Sequence, residues 1–236
     1  MSDRFLKGRV ALVTGASRGI GAATAEALAA AGAHVILTAR TADALEAVED
    51  SIHASGGSAT IAPLDLTESD SIARLAAAIA GRWNALDVLV LNAATLGSLT
   101  PVAAIDGKEF NRVLTLNVLA NQALIAGFDP LLRAGAAGRL LAVTSSVGAR
   151  PRAYWGAYGA SKAALETLVL SYAEEVRNIS PVRVAIVDPG ATATTMRARA
   201  FPGEDPATLK APAAVADAIA ALLARDFESG ERLEIR

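Results

Sequence analysis

The sequence predicts an α/β fold: one domain on a doubly wound, seven-stranded parallel sheet with helices on both faces. Three observations predict it. Short β-branched runs alternate with longer alanine-rich stretches along the chain. The runs are apolar at successive positions rather than at every second one, as in strands buried on both faces. No repeat, low-complexity tract or interdomain linker breaks the alternation, so a single domain is expected over residues 1–236. Right-handed crossovers between parallel strands then place helices on both sides of the sheet.

Taken in order, strands are expected at Val10–Thr14, His34–Thr38, Thr60–Pro63, Asp87–Leu91, Leu140–Thr144, Arg183–Asp188 and Leu233–Arg236. Helices are expected near Gly19–Ala31, Asp43–Ser55, Ser69–Arg82, Gly107–Leu132, Ala157–Asn178 and Ala211–Ala224. Local signals set some boundaries. Gly32 suits the end of the first helix, Gly56-Gly57 suits a turn, and Ser69 is placed to cap the third helix. Leu96–Ile105 and Thr192–Lys210 read as loops. The second contains Pro202, Gly203 and Pro206, is too long for a plain connector, and is expected to be a substrate lid.

Composition excludes several function classes. With 53% hydrophobic and 19% charged residues the chain is not generally disordered. A net charge of −2 offers no footprint for nucleic acid, and no polybasic tract offers one for a membrane. The absence of cysteine removes disulfides, thiol catalysis, zinc–thiolate sites and iron–sulfur clusters. Two histidines, His34 and His53, are too few for a histidine-rich metal site, so no metal is expected. The start, with Asp3, Arg4, Lys7 and Arg9, precedes an apolar stretch too short for a signal-peptide core. No run reaches the roughly 20 apolar residues that span a bilayer, so a soluble, cytoplasmic protein is expected.

Thr14-Gly15-Ala16-Ser17-Arg18-Gly19-Ile20-Gly21 follows the first strand and opens the first helix. Gly15 allows a tight turn, Gly19 lets a phosphate approach the backbone, and Gly21 lets the helix sit close on the sheet. The helix N-terminus supplies free N–H donors and partial positive charge. The spacing is neither that of the common dinucleotide fingerprint nor that of a Walker loop. A glycine turn that binds nothing is the alternative, but its place after the first strand favours a ligand.

A ribose-binding acid is expected at the end of the second strand of an NAD-binding unit. Here that position is Ala39, and Arg40 follows. An arginine pairs with a 2′-phosphate that an acid would repel, and Arg18 can approach the same group, so NADP(H) is expected over NAD(H). Further polar groups collect at the carboxyl ends of the other strands, where open parallel sheets bind ligands. They are Asp65-Leu66, Asn92-Ala93, Thr144-Ser145-Ser146 and Asp188-Pro189-Gly190.

Tyr158 and Lys162 are one helical turn apart and share a face. An ammonium beside a phenol is expected to lower its pKa and make it a proton shuttle. Ser145, at the end of the fifth strand, can donate to a substrate carbonyl as charge develops there. These residues together, in order and spacing, resemble a classical short-chain dehydrogenase/reductase over nearly the whole chain. The resemblance implies a Rossmann fold and a catalytic tetrad of Asn117, Ser145, Tyr158 and Lys162, with Asn117 holding a relay water and Lys162 also binding the nicotinamide ribose. It further implies cofactor contacts at Gly15, Ser17, Arg18, Gly19, Ile20, Gly21, Arg40, Asp65, Leu66, Asn92, Ala93, Tyr158, Lys162, Pro189, Gly190, Thr192 and Thr194.

Two features depart from the family pattern. Ala94 stands where a glycine is usual, and the terminal Gly-Gly extension is missing before the last residue, Arg236. The Arg197–Lys210 segment is similar to a bacterial subgroup of oxidoreductases of unassigned substrate. The expected reaction is hydride transfer between NADP(H) and a carbonyl or alcohol, on a small, hydrophobic substrate, in a homodimer or homotetramer. Leu96, Val147, Arg150, Arg152, Tyr154, Trp155, Met196 and Phe201 are candidate pocket walls. An NADP(H)-binding redox sensor or regulatory protein on the same scaffold is the alternative, and a sugar-nucleotide epimerase is a third class. The intact tetrad favours the enzyme.

Overall fold

All seven expected strands form, and every pairing is parallel, in a computed structural model that describes residues 4–236. Asp3, read above as part of the charged start, lies outside the described residues. The strands are β1 (Val10–Thr14), β2 (His34–Ala39), β3 (Ser58–Pro63), β4 (Val88–Leu91), β5 (Arg139–Val143), β6 (Arg183–Asp188) and β7 (Glu231–Glu234). Their order across the sheet is β3-β2-β1-β4-β5-β6-β7. The chain winds outward from β1 to β3, then restarts at β4 on the other side of β1. That reversal opens a crevice at the carboxyl ends of β1 and β4, where ligands of such sheets bind.

The helices are α1 (Gly19–Ala30), α2 (Ala42–Ala54), α3 (Ser71–Ala80), α4 (Gly107–Leu114), α5 (Ala120–Ala134), α6 (Ser146–Ala149), α7 (Gly156–Val176), α8 (Thr195–Ala200) and α9 (Pro212–Leu223). The unbroken apolar runs of the strands are explained by two cores. Val13, Leu37, Val90, Leu141 and Val187 pack with Leu28, Leu45 and Ile219 of α1, α2 and α9. Their alternates Leu12, Ile36, Leu89, Leu140 and Ile186 pack with Leu75, Phe128 and Val169 of α3, α5 and α7. Burying each such side chain contributes about 2 kcal/mol, enough to override weak local preferences. Among the described residues no helix is long and apolar enough to cross a membrane.

Gly32 ends the first helix as expected. Its φ of +100° lets its N–H reach Ala29 O while the next N–H, of Ala33, reaches Leu28 O, the paired bonds of a Schellman motif. Ser69 does not cap the third helix. The helix starts two residues later, behind Asp70 at φ +59°, and no side chain caps it. The helix expected over Gly107–Leu132 is not continuous either. A π-helical turn at Thr115–Leu119 separates α4 from α5, and the Asn121 side-chain amide donates to the Asn117 carbonyl at 2.9 Å. One residue inserted into a helix leaves no mark on amphipathic spacing over a short window, which is why the pattern read through it. The Thr192–Lys210 segment is more ordered than a plain loop: it carries α8 and a 3-10 turn at Pro206–Thr208.

Candidate active site

The crevice is built first by Thr14. Fully buried, its hydroxyl donates to Val90 O (3.1 Å) and accepts from the N–H groups of Asn92 (2.9 Å) and Ala93 (3.0 Å). Asn92 Nδ2 donates to Thr14 O (2.8 Å) and Gly15 O (3.3 Å). The ends of β1 and β4 are thus laced together across the reversal. Asn92 and Ala93, expected at the cofactor, act here as the brace of the crevice. Gly15 and Gly19 have φ of +65° and +59°, where a Cβ is disfavoured. A Cβ on Gly21 would stand 2.2 Å from Gly15 O and 2.5 Å from Asn92 Nδ2. Gly21 therefore lets α1 lie against the loop's own backbone, more than against the sheet. Ile20 packs into the core, and Ser17 is half-buried in the loop. Arg18, at the N-cap, provides no side-chain cap, and no acid lies in the first turn of α1, so the donors there face the crevice without a protein acceptor from either.

Arg18 and Arg40 are both exposed, and neither makes a salt bridge among the described residues. Asp65, after β3, accepts from the Thr67 N–H (2.8 Å) and hydroxyl (2.7 Å). Burial pushes its carboxyl up, but those bonds and the Arg40 charge outweigh it and hold it below its ordinary value. The Leu66 side chain is in the core, so it has only backbone to offer a ligand.

Asn117 sits in the π-helical turn with no exposure. Its Oδ1 accepts from Thr95 N–H (2.8 Å), and its Nδ2 donates to Thr95 O (2.9 Å) and Ser161 Oγ (2.9 Å). Ser161 Oγ in turn donates to Tyr158 O (2.7 Å). Both amide hydrogens are used, so Asn117 ties the loop after β4 to the start of α7. Ser145 stands at the N-cap position of the short α6, makes no capping bond with its side chain, and is half-buried. Tyr158 is 7% exposed, lines a small apolar cluster, and its hydroxyl takes no hydrogen bond among the described residues. Lys162 is 2% exposed, donates to Val143 O at 2.8 Å, and its Nζ lies 5.7 Å from the Tyr158 ring centre.

The lowering of the phenol's pKa expected from Lys162 meets an opposing push here. Burial pushes the Tyr158 hydroxyl up from its ordinary value, and Asp188 adds to that. Burial also lowers the Lys162 amine to about 8, against the pull of Glu166. Burial thus works against the charged form of both groups, but at about 8 the amine still keeps most of its proton at neutral pH, and it donates to the Val143 carbonyl.

The 192–210 segment is pinned at both ends. Ala193 N–H donates to Lys210 O (2.9 Å), and Lys210 Nζ donates to Pro189 O (3.0 Å). Gly190 has φ +62° and donates its N–H to Asp188 Oδ1 (3.0 Å). Thr192 is buried, with its hydroxyl turned to Pro189 O (3.1 Å), so it shapes the segment's root. Thr194 caps α8, and its Cγ2 lies 3.5 Å from where a Gly19 Cβ would be, directly over the glycine loop. Beneath α8, Leu96, Val147 and Tyr158 form a buried apolar cluster with Trp155 and Met196 against it. Phe201 reaches Trp155 at 5.6 Å between ring centres and carries the Arg197 guanidinium 3.8 Å above its face. Arg197 is bonded to Glu204 at 2.6 Å by two nitrogens. Tyr154 stays exposed, with a strained φ of +72°. Arg150 and Arg152 are exposed at this rim.

Sequence reading missed Leu99 and Ala200 in the apolar cluster, the Thr14 hub, Ser161 and Glu166. Glu166 left a signal: an acid one turn after Lys162, on the face of α7 that has to be buried. Among the described residues no three His, Asp or Glu side chains gather as a metal site.

The chain matches the family model for short chain dehydrogenases over residues 9–205. It is 40% identical over 212 residues to the uncharacterized oxidoreductase YciK of Escherichia coli K12, across 89% of this chain and 83% of that protein. Among solved structures, a short chain dehydrogenase from Salmonella enterica serovar Typhi gives a TM-score of 0.94 at 36% identity, covering 99% of this chain and 98% of the other. A metagenomic short-chain oxidoreductase in complex with NADP gives 0.82 at 37% identity, covering 98% and 96%.

Proposed function

We propose, since this chain belongs to the short chain dehydrogenase family of oxidoreductases, that it reduces the carbonyl group of a small apolar molecule with NADPH, reversibly. The observation that carries this is a buried Tyr158 ring whose hydroxyl has no partner among the described residues, with Lys162 one turn behind it, at the crevice edge of the sheet. The cofactor fits the residues present. Gly15, Gly19 and Gly21 form a cradle that a Cβ on Gly21 would fill, and the uncapped start of α1 offers N–H donors to a pyrophosphate. Ser17 and Ile20 complete that loop. Arg18 and Arg40 would pair with a 2′-phosphate, Asp65 and the Leu66 backbone would meet adenine, and Pro189, Gly190, Thr192 and Thr194 would close over the nicotinamide end. The metagenomic relative, solved with NADP, supports this choice. When bound, the cofactor supplies the hydride.

The chain's own residues do the rest. Ser145 donates a hydrogen bond to the substrate oxygen and polarises the carbonyl. Tyr158, held neutral by burial, gives its proton to that oxygen as negative charge develops there. Lys162 stabilises the phenolate left behind. Asn117 keeps the loop after β4 and the start of α7 in register, so that the proton donor and the polarising serine stay together. The apolar cluster of Leu96, Val147, Trp155 and Met196 favours a hydrophobic substrate, sealed by the 192–210 lid. Exposed Leu119 and Leu170 support association of copies through the helices that carry them.

The test is oxidation of NADPH across a panel of apolar ketones and aldehydes. Turnover of at least one is expected, and none with any member would defeat the proposal. A second expected result concerns the cofactor. Arg40→Ala weakens NADPH binding by about tenfold and leaves NADH within about twofold, because only the 2′-phosphate loses a charged partner. Fluorescence titration of both nucleotides checks it.

A further inference from the structure

Behind Lys162 lies a buried carboxylate that the reaction above never touches. Glu166 is one turn beyond Lys162 and two beyond Tyr158, on the same face of α7. It is 8% exposed. Its Oε1 accepts from the Thr144 hydroxyl at 2.5 Å and from Arg232 Nη1 at 3.2 Å, and its Oε2 is paired with Arg232 Nη2. Consecutive residues at the end of β5 therefore hold the two charges: the Val143 carbonyl takes Lys162 and the Thr144 hydroxyl takes Glu166. Ser145 is the next residue. The charged and titratable groups around this point are Tyr158, Lys162 and Glu166 from α7, Asp188 from β6, and Arg232 and Glu234 from β7. From β5 come only a neutral carbonyl and a hydroxyl.

A buried ammonium without a counter-charge gives up its proton, and a buried carboxylate without a donor takes one. The cluster answers both demands in series. We propose that Glu166 is a positioning residue for the reaction: its carboxylate, seated by Arg232 and Thr144 one turn beyond Lys162, is the counter-charge of the Lys162 amine and keeps Thr144, hence Ser145, in register with α7. The assignment rests on the reading of Lys162 and Tyr158 as the proton-handling pair. It adds that the last strand, through Arg232, fixes where that carboxylate stands.

The test needs no substrate. The chain has four lysines, Lys7, Lys108, Lys162 and Lys210, so lysine isotopically labelled at Cε gives few enough NMR signals to titrate separately. The signal lost in Lys162→Met identifies the residue. In the wild-type protein it is expected to titrate at about 8. In Glu166→Gln, which keeps the shape and loses the charge, the midpoint is expected to fall by about one pH unit or more. Thr144→Val removes the hydroxyl and keeps the charges, so it melts earlier but leaves the Lys162 midpoint in place. An unmoved midpoint in Glu166→Gln overturns the proposal. So does an equal fall in Thr144→Val, which would mean loosened packing and not charge. Should Glu166→Gln fail to fold, Arg232→Gln replaces it: one cation nearby is lost, Thr144 still holds the Glu166 carboxylate in place, and the Lys162 midpoint is expected to rise. An unchanged or lower midpoint there overturns the proposal equally. The underlying reading fails by a different result, undiminished turnover in Tyr158→Phe, which leaves the lysine titration untouched.

Discussion

Tyr158→Phe is expected to lower carbonyl turnover at least a thousandfold, about 4 kcal/mol of transition-state stabilisation, while NADPH binds as tightly as before. The argument is local. The substitution removes one hydroxyl and keeps a ring that packs with Leu96 and Val147 and meets Trp155 edge-on at 5.9 Å. That hydroxyl makes no bond to another described residue, so no donor or acceptor is orphaned by its loss. The melting temperature should stay within about 2 °C of the parent, as for changes that break no buried contact. What disappears is the proton donor. Burial raises the phenol's pKa, which favours the neutral form that reduction requires. Ser145 still polarises the carbonyl but an aliphatic hydroxyl is a far weaker acid than a phenol and does not replace it as proton donor. The checks are the rate of NADPH oxidation at saturating substrate and the fluorescence titration of NADPH in the same variant. Turnover equal to the parent would remove Tyr158 from the reaction.

The fold was legible because each strand carries apolar side chains on both faces. Val13 and Leu12 are neighbours in sequence and belong to different cores, so the run could only be a central strand. The glycine loop was legible for a related reason, since Gly21 marks a contact no side chain can share. What stayed hidden depends on partners distant in sequence. That Asn92 braces the crevice could not be read, because its partners at Thr14 and Gly15 are brought to it only by the pairing of β1 with β4. Spacing alone leaves out what burial does to Tyr158. One helical turn fixes how near an amine stands to a phenol, but desolvation depends on the apolar cluster, and an opposing charge comes from Asp188, both from other parts of the chain. Glu166 shows the same limit: its position on the helix was visible, while its partner Arg232 lies 66 residues further on.

Gly21→Ala should be the most damaging single methyl in the crevice. Its Cβ would lie 2.2 Å from Gly15 O and 2.5 Å from Asn92 Nδ2. Neither can step aside as the tip of a flexible side chain would. The first is backbone of the turn that Gly15 forms at φ +65°, and the second is held by Thr14 O at 2.8 Å. Relief requires the start of α1 to lift from the loop, yet α1 is packed into the core at Ala25 and Leu28. Overpacking against fixed backbone costs about 3 kcal/mol, which for a chain of this size lowers the melting temperature by roughly 6–12 °C. Binding suffers separately from stability, because the displaced turn is the one whose N–H groups face the pyrophosphate. An NADPH dissociation constant raised at least about a hundredfold is expected, the equivalent of two charge-assisted hydrogen bonds lost. Gly203→Ala is the matched control. Nothing lies within 4 Å of a Cβ placed there, so melting and NADPH binding should follow the parent protein. If Gly21→Ala also followed it, α1 would not lie against the loop as described, and the cradle assigned to the nucleotide would have to be sought elsewhere along the sheet's edge.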